Sequence, residues 1–133
     1  MKNDFICPYC SGHLNIKDKV VFVAKKINGE TGIIFLHPKL GDYSSEMHET
    51  FNVSKGEDVD ILCPICHQNL KQKVEDKNFV HLLLVEEDGK RYNVLFSSIF
   101  GEYSTFKIGK EVFETFGKPV QLGINFETLS FLK

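Results

Sequence analysis

All four cysteines of this 133-residue chain fall in two tetrapeptides, Cys7-Pro8-Tyr9-Cys10 and Cys63-Pro64-Ile65-Cys66. A Cys-x-x-Cys turn places two sulfurs on one side of a tight bend, with backbone N–H groups directed at them. Proline after the first cysteine stiffens that bend. Two such turns supply four thiolates, the number that a tetrahedral all-cysteine zinc site takes. The same tetrapeptide could also serve thiol redox chemistry, where a lowered cysteine pKa makes the thiolate a nucleophile. The chain opens MKNDF with no apolar leader-like run, and no stretch approaches the roughly 18 apolar residues of a membrane span. A cytoplasmic protein is expected, and in that reducing compartment paired Cys-x-x-Cys motifs point to metal or redox chemistry rather than to a structural disulfide.

Through CPYC at 7–10 and CPIC at 63–66 the chain resembles zinc-ribbon and rubredoxin-knuckle proteins, a likeness confined to the surroundings of the two motifs. The resemblance implies that Cys7, Cys10, Cys63 and Cys66 ligate one zinc ion per chain. The motifs stand 52 residues apart, against about fifteen to twenty in the familiar four-cysteine spacing. Loop closure grows only logarithmically with length, so the excess costs under about 1 kcal/mol. Knuckles shared between two chains are the structural alternative to an intrachain site. Iron in the same shell would mean rubredoxin-like electron transfer. Rubredoxins usually carry glycine after the second cysteine of each knuckle, where this chain has Ser11 and His67, which weighs against iron. CPYC is also the active-site tetrapeptide of glutaredoxins, but those follow a complete strand and open a helix. Here six residues precede it, and Gly12 and Asn15 make the following segment poor helix.

His13 and His67 lie close enough to the motifs to hydrogen-bond a thiolate or to replace a ligand, although a surface imidazole is the plainer reading. His81 belongs to an apolar strand pattern, and His37 and His48 fall in loops. No Ser-His-Asp arrangement, phosphate-binding loop or dinucleotide glycine pattern is present, so a non-enzymatic protein is expected.

The elements that must position the cysteines come as a repeat. Cys7, Pro8, Cys10, Leu14 and Lys17 recur at an offset of 56 as Cys63, Pro64, Cys66, Leu70 and Lys73. The offset then grows to 60: Asn28-Gly29 matches Asp88-Gly89, Ile34-Phe35-Leu36 matches Val94-Leu95-Phe96, and Gly41-Asp42-Tyr43-Ser44 matches Gly101-Glu102-Tyr103-Ser104. It falls to 55 where Thr50-Phe51-Asn52-Val53 matches Thr105-Phe106-Lys107-Ile108. A mainly β fold with little helix follows: two homologous hairpin repeats, residues 1–62 and 63–133, joined by a zinc-ribbon-like site in one compact unit, the second repeat with a C-terminal extension.

In each repeat a hairpin follows the cysteine turn, with strands at 20–26 and 31–37 and at 79–87 and 91–98. Asn28-Gly29 and Asp88-Gly89 are expected to form type I′ turns. A third strand is expected at 49–53 and at 103–108. Short helices are expected at 110–116, two turns, and over SSEMHE, one turn. The C-terminal segment alternates at Leu122, Ile124 and Phe126 and is read as a closing strand or strap. The Gly-acid-Tyr-Ser blocks are expected to turn the chain, bond locally and cover a sheet edge with tyrosine. A two-fold ligand pocket is their alternative.

Net charge is -2. Residues 1–62 carry 7 basic and 9 acidic side chains and residues 63–133 carry 9 and 9, with Arg91 the single arginine. That balance disfavours a nucleic-acid binder, for which Lys17, Lys19, Lys25, Lys26, Lys71, Lys73 and Lys77 would be the candidate surface. The expected function is a non-enzymatic structural-zinc module acting through contacts with a protein partner, as an accessory or regulatory factor. A nucleic-acid-binding zinc ribbon and a redox or electron-transfer protein are the alternatives.

Overall fold

The computed structural model describes residues 3–119 and 129–133. These form eleven strands and no helix, so no helix is long and apolar enough to cross a membrane. Most of the segment expected as a closing strand, including Leu122, Ile124 and Phe126, lies outside the described residues.

The strands make two antiparallel sheets. In the smaller, β2 (Asn15–Ile16), β3 (Lys19–Lys25), β4 (Thr31–Leu36) and β5 (Ser45–Met47) lie in chain order, and β6 (Asp60–Leu62) pairs with β3. In the larger, the order is β1 (Asp4–Ile6), β8 (Lys77–Val85), β9 (Arg91–Ser97), β10 (Ser104–Gly109) and β11 (Val112–Gly117), with β7 (Lys71–Val74) also on β8. Period-2 alternation supplies the core between them: Val20, Phe22 and Ala24 of β3 and Val80, Leu82 and Leu84 of β8 are buried in one cluster. Phe79, Leu95, Phe106 and Ile108 of the larger sheet, with Val74, form a second cluster under Leu129, Phe131 and Leu132.

The two sheets repeat each other's pairings. β1 pairs with β8 as Asp4↔Val85, Phe5↔Leu84 and Ile6↔Leu83, and β6 pairs with β3 as Asp60↔Lys25, Ile61↔Ala24 and Leu62↔Val23. One partner shifts by 56 and the other by 60, the two offsets read in the sequence. The strand before each cysteine turn belongs to one sheet and the strand after it to the other: β1 leads into β2, and β6 into β7. Each CPxC turn is therefore a crossing between sheets.

Four expectations about the elements are corrected. The third strand of the first half is β5, not 49–53. Leu36↔Ser45 and Phe35↔Glu46 have the same relative register as Phe96↔Thr105 and Leu95↔Phe106, 60 positions on, so pairing sets Ser45 rather than Thr50 opposite the position of Thr105. Phe51 is instead buried from a loop, over Gly32, where a Cβ would strike its ring. The SSEMHE segment forms β5 rather than a helical turn. Residues 112–117 form β11 rather than helix, paired along β10 from Ser104↔Gly117 to Gly109↔Val112. An isolated two-turn helix is marginal, whereas Val112, Phe113, Thr115 and Phe116 suit an open sheet edge.

The hairpin turns differ too. Gly29 (φ 90°) and Gly89 (φ 84°) are left-handed, but Asn28 and Asp88 are not. Gly29 N donates to Lys26 O (2.9 Å) and Lys26 N to Glu30 O (2.8 Å), so three residues span the turn, with glycine at the bulge. Asn28 Oδ1 accepts from Glu30 N at 2.9 Å, and Asp88 Oδ1 from Lys90 N at the same distance. The turn with both central residues left-handed is Glu75-Asp76, at φ 48° and 66°.

Candidate metal centre

Because each cysteine turn follows a strand of one sheet and leads into the other, the two turns come together where the sheets exchange their chains. Both close identically. Cys7 N donates to Gly12 O and Ser11 N to Cys7 O, as Cys63 N does to Gln68 O and His67 N to Cys63 O, all at 2.9–3.0 Å. The left-handed residue each bend needs is Ser11 (φ 61°) and His67 (φ 65°). These are the positions at which the resembling knuckles usually have glycine, and the conformation is kept without it. Gly12 lets the turns approach, since a Cβ there would strike Ile65.

The four sulfurs converge to within 4.8 Å of one another. Cys7 Sγ lies 3.7 Å from Cys66 Sγ, and Cys10 Sγ 3.8 Å from Cys63 Sγ. A disulfide needs about 2.05 Å. A tetrahedron with metal–sulfur bonds of about 2.3 Å has edges of about 3.8 Å. The free thiols thus stand at the separations a tetrahedral ion requires, and the donor set fits a thiophilic metal. Tyr9 N points at Cys7 Sγ (3.4 Å), Gly12 N at Cys10 Sγ (3.4 Å), and Ile65 N (3.3 Å) and Cys66 N (3.5 Å) at Cys63 Sγ. These donors would offset the charge of bound thiolates.

The four thiols are unequal. Cys7 and Cys63 are fully buried, whereas Cys10 is exposed and Cys66 half-buried. Burial pushes the Cys7 thiol up to about 12 and raises Cys63 as well, while the Gly12 N–H lowers Cys10. Without metal the two inner sulfurs are neutral thiols at neutral pH, so an ion that binds them must displace their protons.

The histidines do not join the cluster, which among the described residues holds the four cysteines alone. His13 Nδ1 meets Asp4 Oδ2 at 2.8 Å. His81 is packed in β8, with Nε2 2.8 Å from Asn93 Oδ1, and burial lowers its pKa. Several lysines of the candidate basic surface are paired: Lys71 with Asp58 (2.9 Å) and Asp60 (3.0 Å), Lys26 with Glu30 and Glu57, and Lys19 with Glu46.

The Gly-acid-Tyr-Ser loops behave locally only in part. Asp42 accepts from Ser44 N and Oγ, but Glu102 accepts from Ser97 Oγ at 3.0 Å. Tyr43 and Tyr103, expected at sheet edges, stack on each other with centroids 4.6 Å apart. Sequence reasoning also missed Lys107, buried on β10, with Nζ 2.8 Å from Glu86 Oε2 and 4.2 Å from the Tyr92 ring centroid. A lysine between Phe106 and Ile108 reads as the solvent side of a half-buried strand, and only the neighbouring strands and the turn after β8 supply its partners.

Comparison of the chain with protein-family models, curated proteins and solved structures finds no match.

Proposed function

We propose that the chain is an internal duplication whose two copies exchange their first strands and are tied together by one zinc ion, held by Cys7, Cys10, Cys63 and Cys66. The protein acts as a non-enzymatic, zinc-ribbon-like module, in a reducing compartment such as the cytoplasm, through contacts with a protein partner. The observation that carries the metal assignment is the pair of sulfur–sulfur separations, 3.7 and 3.8 Å, between turns 56 positions apart in sequence. Matching strand registers at offsets of 56 and 60 support the duplication.

Contact with protein is supported by the tips of the two knuckles, where Tyr9 and Ile65 are 48% and 57% exposed. Exposed apolar side chains beside a rigid metal turn suit a protein surface better than a phosphate backbone. The lysines engaged by carboxylates and the single arginine favour the same choice.

Native mass spectrometry of protein purified without added metal tests the assignment. One zinc per chain, on a colourless monomer or on each subunit of an oligomer, is expected. Bound iron with visible thiolate absorption would replace the structural role with electron transfer, and metal-free protein with a reactive Cys10 would replace it with thiol chemistry. Salt-sensitive binding of DNA or RNA, lost on mutating Lys17, Lys19, Lys25 and Lys26, would overturn the choice of a protein partner.

A further inference from the structure

The metal centre leaves the two Gly-acid-Tyr-Ser loops without a role, yet both line one cavity of about 220 Å³ between the sheets. Its wall is built from matched residues of the two halves: Leu36 with Phe96, Leu40 with Phe100, and Tyr43 with Tyr103, each pair 60 positions apart. The stacked tyrosines therefore sit where equivalent loops meet, and Tyr43 is fixed there by its hydroxyl, 2.7 Å from Thr105 Oγ1 and 3.2 Å from Phe116 O.

The cavity is a half-open cleft walled mainly by apolar side chains with a few polar groups at its mouth, the kind of concavity in which small molecules are bound. For scale, an engineered apolar cavity of about 150 Å³ takes benzene. The lining is also rich in rings: Phe5, Phe22, Phe96 and Phe100 join the two tyrosines. Aromatic walls favour a ring that can stack offset or edge-on against them.

Charge at the lining is mixed. Lys39, Asp42 and Glu102 all line the cavity. Both carboxylates already accept hydrogen bonds, from Ser44 and from Ser97. His37 Nε2 lies 3.7 Å from Asp42 Oδ2. These charged groups are exposed or half-exposed at the mouth, whereas the inner wall, with Phe5, Phe22, Leu82 and Val94, is buried and apolar, so a ligand's charge would be carried out of water without a partner there.

We propose that this cavity is a binding site for a small, uncharged ring compound, seated between the two sheets at the level of Leu36 and Phe96, behind the Tyr43–Tyr103 pair. The site is independent of the metal and of the protein-contact surface.

Indole is the probe, titrated into zinc-loaded full-length protein and followed by amide and aromatic NMR shifts and by calorimetry. Saturable shifts at Leu40, Gly41, Tyr43, Gly101 and Tyr103 are expected. Indole-3-acetate and tryptamine should bind at least about tenfold more weakly, since each carries a charge into an apolar site. Val94→Phe, which fills the cavity from β9, should abolish binding. Leu40→Phe, in a loop that tolerates repacking, should weaken it at least tenfold if Val94→Phe proves unfolded. The proposal is overturned by absence of shifts up to the solubility limit of indole, by shifts centred on the outer sheet face at Ile33, by tighter binding of either charged analogue, or by a folded filling variant that binds like wild type.

Discussion

Replacing Cys7 and replacing Cys63 should damage the protein equally, although the two residues lie in different halves. A metal held by both turns closes the loop from 7 to 63, and 63 − 7 = 56 positions. Chain statistics put the closure of such a loop at about 4 kcal/mol, roughly a thousandfold in the folding equilibrium. That is a large share of the about 5–15 kcal/mol by which domains are stable. With a urea slope near about 2 kcal/mol per molar, the unfolding midpoint should fall by about 2 M. Both sulfurs are fully buried, so Cys7→Ser and Cys63→Ser cannot recruit solvent as a ligand easily, and each should lose the whole closure term. The double variant should then lose little more, because a cross-link can be cut only once. The assay is urea unfolding of zinc-loaded wild type, both single variants and the double, with and without a strong chelator. The chelator should bring wild type down to the variants and leave the double unchanged. Additive losses, or a chelator effect that persists in the double variant, would refute a metal that joins the two turns.

Zinc affinity should rise steeply with pH. Cys7, held near about 12, and Cys63, also raised by burial, are protonated at neutral pH, so binding expels both protons. The affinity should climb at least about a hundredfold per pH unit around neutrality, as read by competition with a chromophoric chelator, and a slope below tenfold would contradict it. In the metal-free protein the sign is reversed: folded-state thiol pKa values above the unfolded value stabilise the fold below about pH 9, and this is lost as pH climbs towards 12. His67→Gly and Ser11→Gly should each stabilise the protein by about 0.5–1 kcal/mol, a rise of about 2–4 °C in thermal unfolding, because glycine relieves a left-handed backbone at φ 65° and 61°. A drop in Tm would mean that the imidazole or hydroxyl holds the turn by contacts of its own. Lys107→Met should cost about 2 kcal/mol in urea unfolding by leaving the half-buried Glu86 without its partner, and adding Glu86→Leu should recover most of that loss.

The cysteine turns and the hairpins were legible in the chain because each rests on local signals: a tetrapeptide, a period of two, a glycine after Asn or Asp. The resemblance to paired knuckles implied one site for Cys7, Cys10, Cys63 and Cys66, but whether the two turns meet within one chain was not legible, and the fold brings them together. Local signals misled where tertiary pairing outweighed them. Residues 112–117 pattern weakly as helix but find the open edge of β10. Thr50-Phe51 resembles Thr105-Phe106, yet hydrogen-bond register equates Ser45 with Thr105 instead.

The order of amino acids by itself determined a β protein with two cysteine turns and two hairpins, since alternation and turn chemistry act within a few residues. Only the tertiary structure decided that β1 and β6 sit in the sheets they do, which makes each cysteine turn a sheet crossing and brings the four sulfurs to 3.7–3.8 Å. It also decided that Lys107 is buried beside Glu86, and that Tyr43 and Tyr103 face each other over a cavity rather than a sheet edge. Strand partnership between residues about 35 or about 80 positions apart leaves no trace in any short window. It is selected by the burial of whole sheet faces, and a side chain's role follows from what that packing places opposite it.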